Sequence, residues 1–526
     1  MIFRNGHIHT LDNLTPFAES LAIDEDRVVA VGSNDEIEGI AGPGTTIEDL
    51  EGRIVLPGLT DAHIHLEKYT HNLNKVNVEV SSLQICLDHV WQRVQDTQPG
   101  EWILGHGWNQ NQWERFGTAA DLDSVSPNNP VYLTAKSLHA GWGNTLALEL
   151  GGITHSSSDP QGGQIQRDAS GTPTGILLEE AMRLVSDVIP VPTVENTGDA
   201  LTEAQAQLWQ YGITAVHDFD GSHCFQALQL LRERGQLGLR VVNNILVDDL
   251  EHALGLGLST GYGDEWMRVG NIKVFADGAL GTRTAAMLAP YEGEPDNTGM
   301  CLLDKQELLE IFIRAAKGGF AMAVHAIGDL ANRNVLDALA DLRRFETENG
   351  LPHLHHRIEH LQLLHPNDLS RPAEYDIIAS MQPIHATSDM EMADRYWGSR
   401  VKYAYAWCSQ LQAGATLAFG SDAPVESPNP FLGLHAAVTR RRRDGSPGPE
   451  GWTSAERLSV HEALLGYTHG PAYATGSGSI LGRLAIDSMA DLIVLEDDPY
   501  VCEEEALAEI MPVGTMVGGT WHYRTF

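Results

Sequence analysis

Eight short apolar runs, spaced along the middle of the chain and separated by helix-like stretches, constrain its fold more than any other feature. The first, Ile54-Val55-Leu56-Pro57-Gly58-Leu59, enters Asp61-Ala62-His63-Ile64-His65; the others lie at 212–218, 239–246, 271–277, 321–326, 357–361, 377–382 and 416–422. A strand-then-helix rhythm favours a parallel sheet with crossover helices. Eight such units close into a barrel whose chemistry sits at the C-terminal ends of its strands, and His63, His65, His325, His360 and Asp422 all fall there. The stretch from about 67 to 200 lacks the rhythm and is rich in turn-forming and aromatic residues, as in Gly105-His106-Gly107-Trp108-Asn109. It reads as an insertion between the first and second strands, placed where insertions commonly supply substrate contacts and exclude water.

The two ends have a different character. Residues 1–56 read as short strands with turns, expected to form antiparallel sheet, and 490–495 and 512–519 are again short strands after a largely helical region. The ends therefore pair into one small β-domain, 1–56 with 480–526, around a barrel at 57–479; His7 and His9 are expected on its exposed face. A length of 526 residues exceeds one ordinary core, which fits this division. A formal charge of −37 opposes binding to nucleic acid or to an anionic membrane. The run Arg440-Arg441-Arg442-Arg443 goes the other way; on a helix it would splay around the circumference, as a solvated or subunit-facing surface. With no apolar stretch of signal-peptide length at the start and no run of ~18 apolar residues, a cytoplasmic protein is expected. Five scattered cysteines without Cys-x-x-Cys indicate neither a disulfide framework nor a thiolate zinc site.

Residues two apart on a strand share a face, so His63 and His65 turn toward one point, as half of a site for an imidazole-binding metal would. His325 opens His-Ala-Ile-Gly-Asp and His360 closes His-Arg-Ile-Glu-His. Asp422, in Phe-Gly-Ser-Asp-Ala-Pro, is either a further ligand or a helix N-cap, although Pro424 and the prolines to Pro430 delay any helix. Lys273 alternates with Phe275 and Asp277, and an inward lysine is costly unless paired or neutralised. Two readings follow: an ion pair with Asp277, or an amine that has taken up CO2 as a carbamate bridging two metal ions.

Together, Pro-Gly-Leu-Thr-Asp-Ala-His-Ile-His (57–65), Lys-Val-Phe-Ala-Asp-Gly-Ala-Leu-Gly-Thr-Arg (273–283), His-Ala-Ile-Gly-Asp (325–329), Arg-Ile-Glu-His (357–360), Gly-Ser-Asp-Ala-Pro-Val (420–425) and the segment from Gly482 to Leu492 resemble the amidohydrolase superfamily, within it amidohydrolase family 3, the YtcJ-like proteins. The resemblance implies an α/β fold: a distorted (β/α)8 TIM-type barrel, plus a small β-sandwich built from both termini. It implies His63 and His65 on a first metal, His325 and His360 on a second, Lys273 as a bridging carbamate, and Asp422 as first-metal ligand and acid/base. It also places Gln382, His385, Arg283, Trp108 and His139 near the substrate. Arg283 reads equally as a carboxylate clamp or a loop-fixing salt bridge, Trp108 and His139 equally as pocket lining or insertion packing, and His217-Asp218 as supporting residues. The expected activity is metal-dependent hydrolysis of a C–N bond (amide, cyclic amide, carbamate or formamide) in a small molecule, with one or two Zn2+ or other divalent ions per chain. The alternatives are a non-catalytic barrel scaffold and a metal-dependent isomerase or esterase on the same fold. Dimers are usual in the superfamily, which leaves a homodimer open.

Overall fold

The computed structural model describes residues 1–109, 113, 115–135 and 140–526. The chain divides into two compact units, Met1–Tyr69 with Thr197–Phe526, and Thr70–Asn196.

The first unit is built on an eight-stranded parallel sheet: β1 (Leu59–Ile64), β2 (Ile213–Asp218), β3 (Arg240–Leu246), β4 (Met267–Phe275), β5 (Met322–Ala326), β6 (Arg357–His360), β7 (Ile378–Met381) and β8 (Leu417–Phe419), neighbours in that order. Most strands are buried along their whole length, as expected of strands covered on both faces. The helices that cover them show why they form. Lys305–Lys317 opens with a capping box from Asp304 and Glu307 and buries Leu308, Phe312, Ala315 and Ala316 on one stripe. Asp329–Asn349 buries Val335, Leu336, Leu339 and Leu342 in the same way and stops at Gly350 in the left-handed conformation (φ 63°).

The barrel is nearly closed. β8 meets β1 through a bridge between Ile64 and Ala423 and through the Asp422 N–H donated to the His63 carbonyl at 2.6 Å. The approach requires Gly420, because a Cβ there would lie 2.3 Å from the His63 nitrogen. Register brings the strand ends to one level, with Phe275 opposite His325, His325 opposite Glu359, and Ala326 opposite His360.

The N-terminal strands enter two further sheets, and the C-terminal strands join them in one of the two. A four-stranded sheet takes Ile2–Arg4, Ser20–Asp24, Arg27–Gly32 and Ile47–Asp49; a six-stranded sheet runs Thr520–Arg524, Gly514–Val517, Leu492–Leu495, Ile54–Pro57, His7–His9, Phe17–Ala18. Phe3, Leu21, Val28, Val55, Leu492 and Met516 pack between them, giving a sandwich. Three expectations need correction here. The opening apolar run is two strands, and Gly58 divides Ile54–Pro57 in the sandwich from β1 in the barrel. The N-terminal strands are mixed rather than antiparallel, since Ile2–Arg4 pairs parallel with Ile47–Asp49, and His7–His9 with Ile54–Pro57. His7 is exposed, but His9 is buried, with Nε2 3.0 Å from Asp498 and its ring stacked on Tyr500.

The four arginines also differ from expectation. The helix ends at Thr439, and Arg440 turns inward, stacks on Trp407 and donates to the Trp452 and Tyr405 carbonyls. Arg441 pairs with Glu504 and Glu505, Arg442 with Glu391, and Arg443 with Glu509, so the run fastens the chain internally.

The second unit carries its own six-stranded sheet, from Val76–Asn77 through Ile103–Trp108, Val131–Ala135, Ala140–Gly143 and Pro173–Glu179 to Gly163–Arg167. Among the described residues no helix is long and apolar enough to cross a membrane.

Candidate metal centre

Five of the strand-end residues converge. Ligand atoms of His63, His360 and Asp422 all lie within 4.8 Å of one another. His65 Nε2 stands 3.5 Å and His63 Nε2 3.7 Å from Asp422 Oδ1. The His325 and His360 rings are 4.6 Å apart, and His360 is 4.9 Å from His63.

Each histidine is fixed through its far nitrogen. His63 Nδ1 donates to Glu359 Oε2 at 2.6 Å, and Glu359 is itself held by Ser380 Oγ (2.6 Å) and Arg357 Nη2 (3.1 Å). His65 Nδ1 faces Asp220 Oδ1 at 3.0 Å, while Asp220 Oδ2 accepts the Glu67 and Lys68 N–H groups. His360 Nδ1 pairs with Gln382 Oε1 at 2.8 Å, and His325 Nε2 with the Gly278 carbonyl at 3.1 Å. Since carboxylates and carbonyls only accept, the protons sit on these outer nitrogens and the inner ones keep lone pairs. Burial, reinforced by neighbouring cationic groups and imidazoles, holds His63 and His360 well below the usual imidazole range, and burial with Lys273 brings His325 to about 3. These three are neutral, the ligand form.

The donor set fits a cation. His63 Nε2 is buried without a hydrogen-bond partner, as is His385 Nε2, which stands 3.8 Å from Asp422 Oδ2. The lone pairs of His63 Nε2 and Asp422 thus face one another across a gap too long for a hydrogen bond. Asp422 is held with φ 60° and His360 with φ 72°, backbone conformations that store strain at the strand ends.

Lys273 is 1% exposed, and among the described residues its Nζ has no hydrogen-bond or ion-pair partner; it lies over the Phe219 and Phe275 rings at 4.6 and 4.9 Å. Burial lowers it to about 8, against the raising influence of Glu359 and Asp422. The ion pair with Asp277 is absent, because that carboxylate accepts the Ala286, Ile327 and Gly328 N–H groups instead.

Gln382 and His385 join the centre, the former against His360 and the latter beside Asp422. Arg283 is in a salt bridge with Glu294 (2.8 Å) and lies over Tyr396, which is the loop-fixing role. Trp108 is 1% exposed in the core of the second unit, donating to the Leu133 carbonyl and packing on Trp113 and Trp142. Its ring packs within that unit, the second of the two readings its sequence context offers. His139 lies outside the described residues. His217 accepts from Arg357 at 2.9 Å and is pushed down to about 3 by burial. A second acidic cluster, Asp218, Asp220 and Cys224, is occupied by protein donors: Leu66 N–H, Asn243 Nδ2 and Asp220 N–H all reach Asp218.

Glu359, Arg357, Ser380 and Asp220 received no individual role from the motifs. Their signal was available in part: alternation in Arg357-Ile358-Glu359 puts two opposite charges on one face of a buried strand, a costly arrangement that needs a use.

Comparisons with known proteins bear on the family. A model described as the amidohydrolase family matches residues 46–523. Protein LONG AFTER FAR-RED 3 of Arabidopsis thaliana is 34% identical, covering 99% of this chain and 91% of its own. Putative amidohydrolase YtcJ of Bacillus subtilis (strain 168) is 32% identical with 98% of each chain covered, and the N-substituted formamide deformylase of Arthrobacter pascens is 28% identical with 99% and 97% covered. An uncharacterized metal-dependent hydrolase from Pyrococcus furiosus superposes with a TM-score of 0.79 at 29% identity, over 95% of this chain and 99% of that one. With the barrel, the strand-end histidines and a match across nearly its whole length, the chain belongs to the amidohydrolase family.

Proposed function

We propose that the chain is a metal-dependent hydrolase that opens a C–N bond in a small molecule, with Asp422 as acid and base. The observation that carries this is the cluster of neutral, outward-braced histidines around Asp422, with His63 Nε2 buried and unpartnered at its centre. The similarity to a formamide deformylase supports the choice of C–N bond, and amide, cyclic amide, carbamate and formamide substrates share the required carbonyl and nitrogen leaving group. His63, His65 and Asp422 would hold one ion, His325 and His360 a second, and Lys273, as a carbamate, would bridge them. Imidazole donors suit Zn2+, and the ion, when bound, supplies Lewis acidity toward the carbonyl and an acidified water.

The protein's own groups do the rest. Asp422 reaches the centre from β8 and is free to take the proton of the attacking water and return it to the leaving nitrogen. Glu359 and Asp220 keep His63 and His65 in the tautomer that presents Nε2. His385 stands beside Asp422, where its unpartnered Nε2 can meet the substrate.

Asp422→Asn is expected to lower turnover by about 10²–10⁴-fold, the usual reach of general acid–base catalysis, with circular dichroism unchanged and most of the metal retained. The assay is a screen of N-formyl, N-acyl and N-carbamoyl compounds with zinc-loaded protein. Wild-type turnover in the variant would overturn the assignment of Asp422.

A further inference from the structure

The four histidines are braced by unlike groups. His63 and His65 donate to carboxylates, Glu359 at 2.6 Å and Asp220 at 3.0 Å. His360 and His325 meet neutral acceptors, the Gln382 amide oxygen at 2.8 Å and the Gly278 carbonyl at 3.1 Å. We propose that the centre grips its two ions unequally, a tight one at His63, His65 and Asp422 and an exchangeable one at His325 and His360; this rests on the metal-dependent reading above.

The physical reason lies in the outer partner. An imidazole that donates to a carboxylate, even one shared with a cation as Glu359 is with Arg357 and Asp220 with Lys68, has a more electron-rich inner nitrogen than one that donates to an amide dipole, and loss of such a partner typically costs 10–100-fold in metal affinity. The tight half has two such carboxylates, both buried, at 0% and 4% exposure. Asp422 adds a third charge, 3.5 and 3.7 Å from the inner nitrogens of His65 and His63.

On the His325 side stands Asp277, with Oδ1 3.6 Å from His325 Nε2, while Asp422 lies between the halves, with a ligand atom within 4.8 Å of those of both His63 and His360. Asp277 is beyond hydrogen-bonding distance of His325, and its two oxygens already accept three backbone N–H groups. Lys273, as a bridging carbamate, would serve both halves and distinguish neither. The asymmetry therefore comes from Glu359 and Asp220 on one side and Gln382 on the other, all acting as positioning residues.

The test uses full-length protein and Zn2+ alone. Protein stripped of metal is equilibrated across a series of zinc buffers, with bound metal measured by elemental analysis and the melting midpoint as a second readout. Zinc is expected to load in two steps of one equivalent each, separated by about tenfold or more. Gln382→Glu is expected to strengthen the weaker step by about 10–100-fold and leave the tighter one in place, a gain that structural damage would not produce. Asp220→Asn is expected to weaken the tighter step by a similar factor, and avoids disturbing the Glu359–Arg357 pair. Two equivalents loading together, saturation at one equivalent in excess zinc, or a weaker step that Gln382→Glu does not move would each overturn the proposal. Failure of the wild-type chain to take up zinc at all would overturn the metal-dependent reading with it.

Discussion

Lys273 shows how a single side chain can carry information that its neighbours alone do not. It is buried on β4 with no anionic partner in hydrogen-bonding reach among the described residues, and desolvation brings its pKa to about 8. The neutral amine is the form that adds CO2, releasing one proton as the carbamate forms, so burial favours the modification by disfavouring the ammonium and raising the reactive fraction. Metal-loaded protein supplied with 13C-bicarbonate is expected to show a protein-bound carbamate carbon by NMR, and Lys273→Gln to lose it. At fixed dissolved CO2, uptake by the metal-free chain should rise as pH rises through about 8, because the neutral amine is then the majority form. An unlabelled wild-type protein with zinc bound would refute the bridging carbamate while leaving the histidine ligands untouched.

At the level of elements, the barrel was legible because parallel strands covered on both faces must be continuous apolar runs, and all eight were visible as such. What ended them was legible too, since a histidine or aspartate after an apolar run is rare enough to notice. The break at Gly58 was not, because apolar residues flank it on both sides and the choice between sandwich and barrel is made by partners more than 150 and 400 residues away, β2 and Leu492–Leu495. Arg440 and His9 were misplaced for the same reason: Trp407, Trp452 and Asp498, which make their burial affordable, are tertiary neighbours that no local pattern announces. The closure of β8 on β1 gives a direct test of element packing. Gly420→Ala would put a methyl 2.3 Å from the His63 nitrogen and 2.8 Å from Asp61 Oδ1, so the strands must part and carry His63 and Asp422 with them. The variant is expected to lose about 1–3 kcal/mol of stability, as overpacking typically does, and to lose metal as well. A variant with wild-type melting and full zinc content would show that the closure has slack.

Across the whole first unit, a buried ion pair helps tie the C-terminal segment back to the barrel. Arg240, at the start of β3, sends Nε and Nη2 to the two oxygens of Asp491 at 2.6 and 2.9 Å, and both residues are nearly inaccessible. Asp491 also accepts the Gly518 N–H, and Arg240 lies over Trp266, so the pair joins the sandwich strand Leu492–Leu495, the turn after Gly514–Val517 and the barrel wall at one point. A buried pair is costly to assemble and far costlier to break, because removing one member leaves the other charged and dry. Asp491→Ala is therefore expected to cost about 3–5 kcal/mol and lower the melting midpoint by several degrees, with metal content per folded molecule unchanged since the centre lies at the opposite ends of the strands. The double variant Arg240→Met with Asp491→Leu should recover much of that loss, because it removes the desolvation cost along with the attraction. Losses that simply add in the double variant would mean that the packing of these side chains, rather than their charge, holds the two parts together.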